Sequence, residues 1–248
     1  MTGTFYNIEK LSYVPEIPNS VIDMYFTFAE CTKLTTAPEL PSSVTTMYYT
    51  FYECTNLITV PEIPNGVTNM IYTFLECTNL TTAPEIPNTV KNMNGTFSGC
   101  INLITAPEIP NGVTKMAYTF RECTNLITVP EIPNGVTDMD YTFDECTNLT
   151  TAPEIPNTVE NMYGTFSGCI NLIKAPRIPN NVTQMGRTFY GCTNLSGTLT
   201  INANPTSCYN CLYGAATNST LKLNGTSTKL NEILATKSSN SNITIEGQ

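Results

Sequence analysis

The sequence predicts a solenoid, a chain wound into stacked coils, and three observations predict it. Cysteine recurs at 31, 54, 77, 100, 123, 146, 169 and 192, each 23 residues after the last. Leucine from Leu34 to Leu195 and phenylalanine from Phe28 to Phe189 keep the same step without a slip. Methionine follows it from Met1 through Met24 and Met47 to Met185, which makes residues 1–207 nine units of 23. One such unit cannot bury its own apolar side chains, whereas stacked units turn each column into a continuous interior.

Each unit divides into two halves. The run L-x-x-[AV]-P-E-I-P is short, apolar and bounded by proline and an N-G or N-T turn signal, which predicts a strand of a few residues. Proline has no amide donor, so Pro61 and its equivalents mark where each strand stops pairing. The second half, V-T-x-M-x-x-T-F-x-x-C, spaces Val67, Met70, Phe74 and Cys77 at offsets of 3, 4 and 3, which predicts one face of a helical or 3-10 segment. A longer period lies above this one: NTVKNMNGTFSGCINLI at Asn88 returns as NTVENMYGTFSGCINLI at Asn157, three units on, as expected of growth by copying blocks of three.

After Leu195 the repeated proline pairs vanish and Pro205 stands alone, yet TLTIN at Thr198, TLKLN at Thr220 and NITIEG at Asn242 recur about every 22 residues. Residues 208–248 are therefore read as capping rungs that continue the same domain. Between the last two lies STKLNEILATK, where Ser227 gives a start signal and Leu230, Ile233 and Leu234 fall at helical spacing. It is the one helix expected with confidence from pattern alone.

Composition narrows the function. Charged residues make up 12% of the chain, about half the usual share. No apolar run reaches the roughly eighteen residues of a membrane span, so no membrane insertion is expected. Eleven basic against twenty acidic residues give a net charge of -9, which opposes nucleic acid and anionic lipid. No signal peptide is visible, and Met1 stands in the repeat's own methionine column, which fits a trimmed natural N-terminus. The chain has no histidine, which removes the commonest general base and every Ser-His or Cys-His arrangement. Its acids form rows rather than catalytic pairs, so no enzyme and no cofactor are expected.

Ten cysteines invite a disulfide reading. Neighbouring strands lie about 4.8 Å apart, but side chains in one column point the same way rather than toward each other. Free buried thiols are the expectation. Cys208 and Cys211 break the period with a C-x-x-C spacing that suits redox or zinc chemistry. A zinc site needs two more ligands, and Cys208 takes the place of the repeat methionine, so a core position in a capping rung is the plainer reading.

The pattern C-x-x-L-x-x-[AV]-P-x-I-P-x-x-V-x-x-M-x-x-T-F resembles the BspA-like leucine-rich repeats, the Treponema pallidum type found on many bacterial surface proteins. The resemblance covers residues 1 to about 207 and departs from the family pattern by one extra residue in A-P-E-I-P. It implies a leucine-rich-repeat solenoid: a right-handed α/β-type coil with a parallel β-sheet of about eleven short strands on the concave side and short helical or 3-10 segments on the convex side. It also implies an extracellular or cell-surface address and a role in adhesion.

Three exposed features are candidates for binding. Thr36, Thr59, Thr82, Thr105, Thr128 and Thr151, ending in Lys174, alternate with inward residues and so fall on the open face of the sheet. They make a strand-friendly, soluble surface, or present hydroxyls to a protein or glycan. Glu16, Glu39, Glu62, Glu85, Glu108, Glu131 and Glu154, followed by Arg177, form an acidic row. Neighbours one rung apart repel by about 0.9 kcal/mol in water; the row is a solvated edge, or a stripe for cations or a basic partner. The third feature comes from comparing units: Tyr49/Glu53, Tyr72/Glu76, Tyr118/Glu122 and Tyr141/Glu145 occur together, while Gly95/Gly99 and Gly164/Gly168 lack both. The i, i+4 offset predicts a tyrosine-glutamate contact on one helical turn, and the variable residues Leu75, Arg121, Asp144 and Tyr190 fall beside it.

The functional expectation is a non-enzymatic, monomeric binding or adhesion module of a bacterial cell-surface protein, with a protein or glycan partner. The alternative is a structural spacer that displays another domain; a cation-dependent surface stripe is the remote one.

Overall fold

A computed structural model describes residues 1–14 and 16–247. Successive 23-residue units lie over one another and join through parallel backbone pairing. One line of single-residue bridges runs without a break from Asp23 through Thr46, Asn69, Asn92, Lys115, Asp138, Asn161 and Gln184 to Ser207. A second line passes through the threonine column: Thr36 pairs with Thr59, Thr82 with Thr105, Thr105 with Thr128, and Thr151 with Lys174.

The sheet differs from the expected eleven strands. Three strands form, β1 (Gly197–Thr200), β2 (Leu221–Asn224) and β3 (Ile243–Ile245), in one parallel sheet of order β1-β2-β3. Every strand lies after Pro179, the last proline of the repeated A-P-x-I-P runs. In the 23-residue units the bridging threonine stands two residues before a proline, as Thr59 does before Pro61, and the missing amide ends the ladder after one pair. Where the sequence reads GTLT and LKLN, four residues pair in register.

The second half of each unit is not helical. Its amides alternate between two partners. Thr73 N–H donates to Met70 O (3.1 Å) and Cys77 N–H to Phe74 O (3.1 Å), closing turns within the coil. Between them Tyr72, Phe74 and Glu76 donate to Asn94 O (2.9 Å), Thr96 O (2.9 Å) and Ser98 O (2.8 Å) of the next coil. A helix cannot spare every second amide, so the backbone breaks helical geometry with left-handed residues at Tyr72 (φ 53°) and Glu76 (φ 59°). The 3-4-3 spacing is satisfied by turns of similar pitch. The bridging residue sets up these turns: the Asn69 Oδ1 accepts from Ile71 N–H at 3.0 Å, and Asp23, Asn92, Asp138 and Asn161 do the same two residues on.

The interior is the expected set of columns. Phe28 through Phe189 are fully buried and, with Phe5 ahead of them, stack with centroids 5.3 to 5.8 Å apart. The valine, methionine, leucine and cysteine columns fill the rest, with no exposure from Val44 to Leu172. All ten cysteines are free. Each repeat thiol donates to the phenylalanine carbonyl 26 residues before it, as Cys54 does to Phe28 O (3.0 Å) and Cys100 to Phe74 O (3.2 Å). Burial pushes these thiols well up, and Cys211 to about 12.

The predicted helix is present as α1 (Leu230–Leu234), one short turn with Ile233 buried. Ser227 Oγ accepts from Lys229 N–H at 3.1 Å in a turn ahead of the helix, but the N-cap position is Lys229 and no side chain caps the helix, so the serine is not the cap that its place in the sequence suggested. Cys211 sits in the core against Thr236 Oγ1 (3.3 Å), and Cys208 is half-buried.

Candidate functional site

The exposed columns are built by the interior ones. Leu57 is buried while Ile58 and Thr59 after it are both exposed, a departure from strict strand alternation that recurs from Leu34 to Leu172. Thr36, Thr59, Thr82, Thr105, Thr128, Thr151 and Lys174 are all exposed, on the open side of the bridging line as expected. Thr59 Oγ1 donates to Thr36 Oγ1 at 3.2 Å. Beside them Ile58, Ile104, Ile127 and Ile173 are half exposed. Asparagines continue the surface as a ladder, with Asn79 Nδ2 donating to Asn56 Oδ1 (3.0 Å) and Asn148 Nδ2 to Asn125 Oδ1 (3.3 Å). A shallow, mostly apolar groove of about 430 Å³ lies among Ile127, Ile173 and Asn171. Neither the isoleucines nor the asparagines entered the sequence reading, although both keep the 23-residue step.

The acidic row is exposed throughout, from Glu16 and Glu39 through Glu62, Glu85, Glu108, Glu131 and Glu154 to Arg177. Glu108, Glu131 and Glu154 line a groove of about 590 Å³ with the neighbouring isoleucines and prolines. The carboxylates form a line rather than a cage: among the described residues no group of three or more metal-ligating side chains converges.

The tyrosine-glutamate feature has a different cause from the one expected. Tyr49, Tyr72, Tyr118 and Tyr141 and their partner glutamates all have φ between 48° and 60°, and Gly95, Gly99, Gly164 and Gly168 have φ between 60° and 70°. Both columns are left-handed positions, where glycine is at ease and other residues are held only by compensating contacts. No hydrogen bond joins Tyr49 to Glu53. The contacts run between coils: Tyr49 stacks on Phe26 (4.7 Å) and on Tyr72 (4.8 Å), and Tyr118 stacks on Tyr141 (5.4 Å). Where the next unit carries glycine, the ring drops onto the bare backbone. A Cβ on Gly95 would meet the Tyr72 ring at 2.1 Å, and one on Gly164 the Tyr141 ring at 2.5 Å.

Further along this side, a pocket of about 380 Å³ opens among Tyr118, Arg121, Tyr141, Asp144, Arg187 and Tyr190. Arg121 Nε donates to the buried Asp144 Oδ2 at 3.2 Å and also pairs with Glu122. The Arg187 guanidinium lies over the Tyr190 ring at 4.6 Å. In the sequence both residues stood out only as variable positions; their spacing of one period is the signal by which the ion pair could have been found. Burial, then the neighbouring Asp138, pushes the Asp140 carboxyl up to about 6, against a hydrogen bond from Tyr118 that lowers it.

Stacked coils, columnar core and outward rows define the class: a solenoid of leucine-rich repeats. The chain belongs to the family described as BspA type leucine rich repeat region, which matches residues 2–127, 71–188 and 116–248. It is similar to a leucine rich repeat protein of T. pallidum, 29% identical over 65% of this chain and 75% of that one, with a TM-score of 0.55. A leucine-rich repeat protein from Bacteroides ovatus shares the fold at 21% identity, over 97% of this chain and 79% of that one, with a TM-score of 0.51. A leucine rich cell surface protein from Faecalibacterium prausnitzii aligns over 98% of this chain and 82% of that one at 20% identity, TM-score 0.39. No curated protein matches the chain.

Proposed function

We propose that this chain is a non-enzymatic binding module of a bacterial cell-surface protein, holding a protein or glycan partner on its exposed rows. The observation that carries this reading is the division of labour between columns. Interior columns repeat with almost no variation, while positions beside the left-handed turns change from unit to unit between tyrosine and glycine, glutamate and glycine, or arginine and aspartate, and the threonine and glutamate rows stay constant until Lys174 and Arg177. Such a surface offers many weak contacts at one-rung spacing and no enclosed cleft. The surface address rests on family resemblance, and no helix among the described residues is long and apolar enough to cross a membrane. As a binding face, the reading takes the threonine row from Thr36 to Lys174, the row through Glu62, Glu85, Glu108 and Glu131, and the tyrosines at 49, 72, 118 and 141.

The experiment is capture from host-cell surface extracts by the immobilised chain, repeated with Tyr49, Tyr72, Tyr118 and Tyr141 changed to serine and with Thr59, Thr82, Thr105 and Thr128 changed to lysine. A partner lost with one of these sets, while the melting transition stays cooperative, supports the reading. A wild-type chain that captures nothing refutes it in favour of the spacer.

A further inference from the structure

The first 90 residues carry nine acidic and only two basic side chains. The two, Lys10 and Lys33, are one period apart and stand in the column that Asn56 and Asn79 continue, on the threonine side. The side that bears the left-handed columns therefore has no basic side chain from Asp23 to Glu76. It is also where aromatic residues are densest. Tyr25 stacks on Tyr48 (5.1 Å), Phe26 on Tyr49 (4.7 Å) and Tyr49 on Tyr72 (4.8 Å), while Tyr52 meets Tyr49 edge-on at 5.5 Å. These rings are half-buried, so they form a surface rather than a core.

Alongside the rings runs a second acidic column, Glu30, Glu53 and Glu76, each half-buried and each fixed by a left-handed backbone. Unlike the edge row, these carboxylates are crowded. Glu76 is pushed up by burial and then by Glu122 and Glu53. Glu30 Oε1 accepts a 2.8 Å hydrogen bond from Tyr6, which leaves other lone pairs open. Beyond the sector the first basic groups are Lys91 and then Lys115, which stands in the Asp23 column, followed by Arg121, already engaged with Asp144 and Glu122.

We propose that this sector, from Phe26 and Glu30 to Tyr72 and Glu76, is a docking surface for a lysine- or arginine-bearing polypeptide segment. The assignment deepens the binding-module reading and rests on it. Ring faces are used in stacking, so ring edges and phenol oxygens meet the partner; they suit the methylene stems of lysine and arginine. The carboxylates supply the charge-assisted acceptors for the head groups. A cationic partner also compensates carboxylates that are half-buried rather than solvated, Glu76 above all, which gives this column more to gain than the exposed edge row.

The test is fluorescence anisotropy of a labelled ten-residue polylysine peptide with the full chain, in low and physiological salt. Three proteins are compared: wild type, a triple variant Glu30→Gln, Glu53→Gln, Glu76→Gln, and a control triple Glu9→Gln, Glu160→Gln, Glu232→Gln that removes the same charge from exposed positions outside the binding rows. The expected result is at least a tenfold weaker Kd for the first triple and less than a twofold change for the control. Equal losses in both triples, a larger loss in the control, or no wild-type binding in low salt overturn the proposal. Tyr48→Ser with Tyr52→Ser leaves every charge in place and is expected to weaken binding about threefold; no change would likewise count against the sector. The host-extract capture is read separately, so a failed sector and a failed binding module give different results.

Discussion

Replacing Gly95 tests the left-handed columns most directly. Its φ is 60°, and the Tyr72 ring occupies the space a Cβ would need. Gly95→Ala forces a left-handed alanine, costing about 1–2 kcal/mol, and displaces Tyr72 from the bare backbone. Stiffening the unfolded chain gives back about 0.4–1 kcal/mol. These backbone effects leave about 0–1.6 kcal/mol, and moving the Tyr72 ring out of its clash with the new Cβ brings the net loss to about 1–2 kcal/mol. Gly95→Tyr meets the same backbone penalty but places a ring between Tyr72 and Tyr118, as Tyr49 stands between Phe26 and Tyr72. Two stacking contacts of about 0.5–1.5 kcal/mol each then offset most of the loss. The larger side chain is therefore expected to be the better tolerated. Calorimetry and urea unfolding would show a Tm lower by about 2–6 °C for Gly95→Ala and within about 2 °C of wild type for Gly95→Tyr. An alanine variant as stable as wild type, or a tyrosine variant less stable than the alanine one, refutes the reasoning.

Thr96 is fully buried and its Oγ1 lies 2.8 Å from both Met70 O and Met93 O, which share its single hydroxyl hydrogen. Thr96→Val keeps the shape and is expected to lower stability by about 1 kcal/mol, whereas Thr82→Val on the exposed row should change it little; urea midpoints decide. Titration of the native chain with a bulky thiol reagent should label Cys208 alone, and all ten cysteines after unfolding, because the other nine are buried. Rapid labelling of a repeat cysteine would contradict the packed columns. The raised Asp140 carboxyl binds a proton more readily folded than unfolded, so its contribution favours folding below about pH 4 and is lost as pH rises through about 6. Asp140→Asn should therefore raise stability at pH 7, by about 1 kcal/mol once solvent screening is allowed for, and leave it unchanged near pH 3.5; the reverse pH dependence would sink the assignment.

The core was legible without coordinates because a fixed period leaves few ways to pack. If Phe51 is buried, Phe74 is buried over it, and the same holds for each methionine, leucine and cysteine column. The glutamate row was legible as a solvated edge from its charge, while the exposure of Thr59 was expected from alternation that the coil does not keep, since Ile58 and Thr59 both face out after buried Leu57. The Tyr-Glu pairing was misread because a single sequence shows which residues change together but not why. An i, i+4 contact and a shared left-handed φ leave the same mark at Gly95 and Gly99. Arg121 and Asp144 were seen as variable positions but not as partners, since the contact crosses coils rather than following the chain.

By itself the sequence determined the coil length, the stacking of like upon like, the free thiols and the helix after Ser227, because all of these depend on periodicity and side-chain chemistry. Only the tertiary structure decided where backbone amides go. In the 23-residue units each amide chooses between closing a turn in its own coil and reaching the next. Prolines near Thr59 and left-handed residues near Tyr72 settle that choice toward single bridges and stacked turns. That balance depends on the distance between neighbouring coils, which no local pattern encodes.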